Sequence, residues 1–177
     1  ELWMRPAEGG VATQLTSGTD TYIDFFELSP DGKTIIYGDR KNRLFKLDVA
    51  TKTKVKIAEE PLSRFYGVKF SPDSRWITYT RPAKNNMGVV YIYNLTDGKE
   101  YAVTDDWYDS SAPAFSSDGK YLIFASARDF NPIYSNTEWN HAYTNMEGVY
   151  VAMLSAATPS PFIVKDEQAD FRFPEDR

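Results

Sequence analysis

The chain has 177 residues, with 25 acidic and 20 basic side chains, a net charge of −5, one His and no Cys. That length suits one domain whose core needs no staples. Zero Cys excludes a disulfide scaffold, a thiolate metal site and a Cys nucleophile, and the lone His141 excludes multi-His zinc sites. The negative balance offers no general attraction to nucleic acid, so no nucleic-acid partner is expected. No run approaches ~20 apolar residues, so no membrane span is expected. The chain opens Glu-Leu-Trp-Met-Arg, without an initiator Met or a signal peptide, as expected of a piece of a longer protein.

Hydrophobic residues make up 42% and aromatics 15%. Helical periodicity is absent, and short aromatic and β-branched runs alternate with turn signals, which predicts an all-β fold. In chain order, residues 1–16 hold two strands, Leu2–Arg5 and Ala12–Thr16, with Gly9-Gly10 near the turn. Residues 17–58 begin a fuller unit around Phe26–Tyr37, FELSPDGKTIIY, followed by strands Arg43–Leu47 and Val55–Ala58. Residues 59–104 repeat it as Val68–Tyr79, VKFSPDSRWITY, then Val89–Leu95 and Tyr101–Thr104. Residues 105–167 repeat it again as Pro113–Phe124, PAFSSDGKYLIF, then Val149–Leu154 and Phe162–Lys165, and a polar tail spans 168–177.

The turn Ser residues, Ser29, Ser71 and Ser116, fall at steps of 42 and 45, within the period of propeller blades. Pro30 and Pro72 pre-set a turn φ, Asp31, Asp73 and Asp118 cap the turn, and Gly32 and Gly119 accept positive φ. Ser74 stands where the other repeats have Gly. The strand after each turn is apolar on both faces (Ile35 and Tyr37 against Ile36; Ile77 and Tyr79 against Trp76; Leu122 and Phe124 against Ile123), so it needs cover on both sides. Neighbouring blades supply that cover. The expectation is therefore an all-β partial β-propeller: three four-stranded antiparallel blades plus an N-terminal half blade, forming a single segment. Closed propellers need typically 4–8 blades, so an apolar blade face should stand uncovered at each end, through which the chain could self-associate.

The LSPDGK turn followed by a short apolar strand resembles the propeller repeats of TolB and of tricorn protease, across nearly the whole chain. The third unit adds an insertion: Ser116 to Tyr150 spans 34 positions, against 16 from Ser29 to Phe45 and 20 from Ser71 to Tyr91. The stretch Ala127–Phe162, with its TPSPF run, resembles bacterial tricorn-like peptidases. That resemblance implies a large serine peptidase whose propellers precede a PDZ-like domain and a catalytic core and admit peptides. The expected partners are then the remaining blades and catalytic domain of the parent chain, and peptides. Nothing here matches a catalytic core, so no catalytic residue, metal site or cofactor is expected, and the segment itself should be inactive. The alternative is a TolB-like protein-interaction propeller without a catalytic domain. Location stays open: cytoplasmic by likeness to tricorn proper, exported or periplasmic by likeness to its bacterial relatives and TolB.

The insertion at 127–148 is the candidate surface for peptide or partner contact. Its candidate residues are Arg128, Tyr134, Trp139, His141 and Tyr143, since aromatics beside polar groups suit such contacts; the plainer reading is a lid packed on its own blade. Glu138-Trp139-Asn140-His141 offers one Glu-x-x-His, where di-iron bundles need two on helices. Acidic residues gather in the links between units (Asp20, Asp24, Glu59, Glu60, Asp105, Asp106, Asp109), either as a negatively biased channel mouth or as ordinary turn chemistry. Lys52, Lys54 and Lys56 read as one face of a protected edge strand.

Overall fold

The computed structural model describes residues 1–61, 63–129, 132–134, 141–143 and 145–162. Within them, every regular element is a β-strand and every pairing is antiparallel. A short hairpin pairs β1 (Trp3–Met4) with β2 (Thr13–Gln14). The first full sheet is the meander β3 (Ile23–Leu28), β4 (Thr34–Asp39), β5 (Arg43–Asp48) and β6 (Lys54–Glu59). The second is β7 (Tyr66–Phe70), β8 (Trp76–Pro82), β9 (Gly88–Asn94) and β10 (Glu100–Ala102). The third joins β11 (Ser110–Phe115), β12 (Tyr121–Ala127) and β15 (Glu147–Met153), and the insertion carries its own hairpin, β13 (Pro132–Tyr134) with β14 (His141–Tyr143). Of the fourth strand expected at Phe162–Lys165, Phe162 sits in a turn and the rest lies outside the described residues, as does the 168–177 tail.

Each repeat turn is built by its own Ser and Asp. Ser29 Oγ donates to Asp31 Oδ1 at 2.6 Å and accepts from the Thr34 N–H at 2.9 Å, while the Lys33 N–H reaches the same carboxylate at 3.1 Å. Ser71 with Asp73, and Ser116 with Asp118, repeat the pattern. Gly32 and Gly119 take positive φ, 73° and 68°, and Ser74 follows at 61°. A left-handed L-residue costs on the order of 1 kcal/mol. Ser74 offsets part of this, because its Oγ accepts the Asp31 N–H of the neighbouring turn at 3.2 Å.

These turns make a pH prediction. The Ser116 hydroxyl and then the Lys120 N–H hold the Asp118 carboxyl below its usual range; Ser29 and Lys33 do the same to Asp31. A folded pKa below the unfolded one adds stability that is present above the unfolded value and fades as pH falls through the folded one. Asp118→Asn should therefore lower the thermal midpoint more at pH 7 than near pH 2, because the wild-type contribution fades as the carboxyl protonates. An equal loss at both pH values would show that the charge is irrelevant.

The first strands lie side by side, β3 against β7 and β7 against β11. Each carries a register shift within its pairing to the following strand, between Ile23 and Phe25, Tyr66 and Lys69, and Ser111 and Ala114. Such bulges bend and twist a strand; the second and third repeats place theirs at equivalent positions, and the first places its own slightly earlier. Between the first and second sheets, Ile36, Leu44, Phe65, Val68, Ile77 and Tyr79 form the main core. Val90, Leu122 and Phe124, with Ile92, Phe115 and Tyr150, form the next. Glu27 pairs with Lys69 across the two inner strands, and Lys46 Nζ donates to the Leu95 carbonyl at 2.9 Å.

At the N-terminal side, Leu2 and Leu15 cover Ile35, Tyr37, Phe45 and Leu47. That hairpin reaches only the outer part of the sheet. Phe26 and Leu28, cross-strand from Tyr37 and Ile35, remain 61% and 53% exposed, whereas Phe26's counterparts Val68 and Pro113 are buried and Leu28's counterparts Phe70 and Phe115 are half-buried. At the other side, Ile123, Val149 and Met153 are exposed on the far face of the third sheet. Among the described residues, exposed apolar surface thus stands at each end, as the repeat count anticipated. One detail differs: Lys52 sits in the β5–β6 turn at φ 59°, so only Lys54 and Lys56 belong to the edge strand.

Candidate functional site

Because every unit runs strand, turn, strand, the Ser-Asp turns gather at one end of the sheets and the links between units at the other. The insertion at 127–148 begins where β12 ends, at the link end, and there the Ala127 N–H donates to the Asp109 carbonyl at 2.8 Å. Exposed aromatics stand at this end: Tyr22, Tyr66, Tyr108 and, at 81% exposure, Trp107.

Most of the link acids are partnered. Asp24 pairs with Arg40 at 3.1 Å and Arg64 at 3.3 Å, Asp20 with Lys41 and Arg43, and Glu60 with Arg81 at 3.8 Å. Arg43 and then Lys41 hold the Asp20 carboxyl far below the ordinary range. Asp109 accepts the Gly88 N–H at 2.7 Å, Asp105 accepts the Trp107 N–H at 3.2 Å, and Glu59 pairs with Lys56 at 2.6 Å. Turn chemistry and ion pairing account for most of this cluster. Among the described residues, no group of three or more His, Cys, Asp or Glu side chains converges as a metal site.

A second repeat emerges on the sheet faces. Tyr37 stacks on Phe45 at 5.1 Å, Tyr79 on Tyr91 at 6.1 Å and Phe124 on Tyr150 at 6.0 Å, each as cross-strand partners. A guanidinium covers the outer ring in all three: Arg43 over Phe45 at 5.4 Å, Arg81 over Tyr91 at 4.3 Å and Arg128 over Tyr150 at 4.9 Å. The first two are neutralised. Arg43 meets Asp39 at 2.6 Å and also Asp20; Arg81 meets Glu100 at 2.7 Å, and the same carboxylate accepts the Tyr79 hydroxyl. Burial and then Glu100 push the Tyr79 hydroxyl well above its ordinary range.

The third copy is different. Arg128 Nε donates to Ser126 Oγ at 3.1 Å, and Ser126 shares a buried hydrogen bond of 2.9 Å with Ser110. Its guanidinium also lies over Tyr108 at 5.3 Å, so two rings and a hydroxyl fix its position. Of the other candidate residues, Trp139 lies outside the described residues. Tyr134, His141 and Tyr143 are described as strand positions alone: Tyr134 is opposite His141, and Tyr143 opposite Pro132. The insertion carries this short hairpin. Tyr108, Ser110, Ser126 and Tyr150 join Arg128 without having been singled out by sequence; the Tyr91 and Tyr150 alignment was the available signal.

Meander sheets packed through their first strands, with repeated Ser-Asp turns at one end, define a partial β-propeller. The chain belongs to the tricorn protease second beta propeller domain family, whose model matches residues 1–176. It is 28% identical over 156 residues to tricorn protease homolog 1 of Streptomyces coelicolor, covering 88% of this chain and 15% of the relative. It is likewise 28% identical over 139 residues to tricorn protease of Thermoplasma volcanium, covering 75% and 14%. The chain thus spans about a seventh of the length of these relatives. Among solved structures, that of tricorn protease superposes with a TM-score of 0.79 at 22% identity, over 86% of this chain and 15% of that one. A putative TolB from Agrobacterium tumefaciens gives 0.54 at 18% identity, over 86% and 65%.

Proposed function

We propose that this chain is a non-catalytic portion of the second propeller of a tricorn-like serine peptidase, shaping the approach of peptides or the assembly of the parent enzyme. The observation that carries the reading is the side-by-side packing of β3, β7 and β11 in a chain matched to that family from end to end. Residues 17–58, 59–104 and 105–167 would each be one blade. The apolar faces around Phe26 and Leu28, and around Ile123, Val149 and Met153, have the composition of blade interfaces and would seat further blades of the parent. The insertion at 127–148, with Arg128, Tyr134, Trp139, His141 and Tyr143, would meet peptides or another domain at the link end. A TolB-like interaction propeller is the weaker reading, since the superposition on tricorn protease is much closer.

The test is made in the parent enzyme. Replacing residues 130–144 with a short turn should change kcat/KM for long peptides and leave short fluorogenic substrates untouched, while the 177-residue chain alone cleaves neither. Equal loss on both substrate lengths, or cleavage by the chain alone, would remove this reading.

A further inference from the structure

We infer that Arg128 is a carboxylate-binding site at the root of the insertion, serving the free C-terminus or an acidic side chain of an extended peptide; this rests on the peptide-access reading above. Three equivalent aromatic pairs each carry a guanidinium, and in the first two a carboxylate completes the set. At the third, Ser126 and Ser110 stand at the root, and among the described residues Arg128 has no carboxylate partner.

The geometry prepares the group for such a ligand. Nε is committed to Ser126 and both Tyr rings restrain the plane, so the fork is held in place before binding and loses little freedom on pairing. Its terminal N–H groups are the donors that match a carboxylate two at a time. Stacking on Tyr108 and Tyr150 leaves the positive charge in place, because cation–π contact does not neutralise it.

Three probes separate the sources: acetyl-Ala-Ala-Ala with a free C-terminus, its C-terminal amide, and acetyl-Ala-Glu-Ala-amide. Binding to the 177-residue chain is followed by NMR shifts of the Arg128 Nε–H and the Trp107 indole N–H at low ionic strength. A charge-assisted pair predicts that at least one carboxylate probe binds about tenfold more tightly than the uncharged amide. Arg128→Gln should abolish that preference, and Arg64→Gln, which removes the same charge from an exposed site, should keep it. If the amide binds as tightly as both acids, or Arg128→Gln retains the preference, the inference fails and the peptide reading stands. If none of the three binds, both fail.

Discussion

Leu44→Ala is expected to destabilise the chain by about 3 kcal/mol, within the range for emptying a buried leucine site. Leu44 is fully buried on β5 and belongs to the cluster that joins the first and second sheets. Its neighbours Ile36, Ile77 and Tyr79 are also fully buried, so little can collapse into the space left behind. Urea unfolding should show a lower midpoint with an unchanged slope. A loss below about 1 kcal/mol would mean that the facing of sheet on sheet is not what holds the molecule together.

Gly88→Ala should be of similar size, about 3 kcal/mol, from overpacking and a strained hydrogen bond. A Cβ at Gly88 would lie 2.5 Å from the Ser110 carbonyl oxygen and 2.8 Å from Asp109 Oδ1. Neither is the far end of a flexible chain: one is backbone, and the other is held by the Gly88 N–H at 2.7 Å. The contact joins β9 to the start of β11, so the damage should concentrate between the second and third sheets. Hydrogen exchange should speed up across β11 and β12 while β4 and β5 stay protected. Uniform loss of protection in all three sheets would contradict that localisation.

Turn chemistry is local, and that is why so much of the architecture is readable from residues alone. Ser29, Asp31 and Gly32 settle one bend among themselves, and each copy announces the strands on either side. The uncovered ends follow as well, since Ile35 and Ile36 point to opposite faces and both need company. The aromatic pairs with their arginines are harder to see. Tyr37, Tyr79 and Phe124 align, but Arg43, Arg81 and Arg128 reach equivalent rings from different distances along the chain, so no fixed spacing displays them. The acidic links mislead for a related reason. Asp20 is answered by Lys41 and Arg43, and Asp24 by Arg40 and Arg64, partners that only folding brings near. The insertion resists because its hairpin depends on a register, Tyr134 opposite His141, that composition does not encode.

Ser74 accepting the Asp31 N–H turns two separate bends into one linked element. Linked units of this kind behave like a row of coupled switches, each steadied mainly by its immediate neighbours. The middle sheet, braced on both sides, is then the last to let go, and melting starts from the flanks and travels inward.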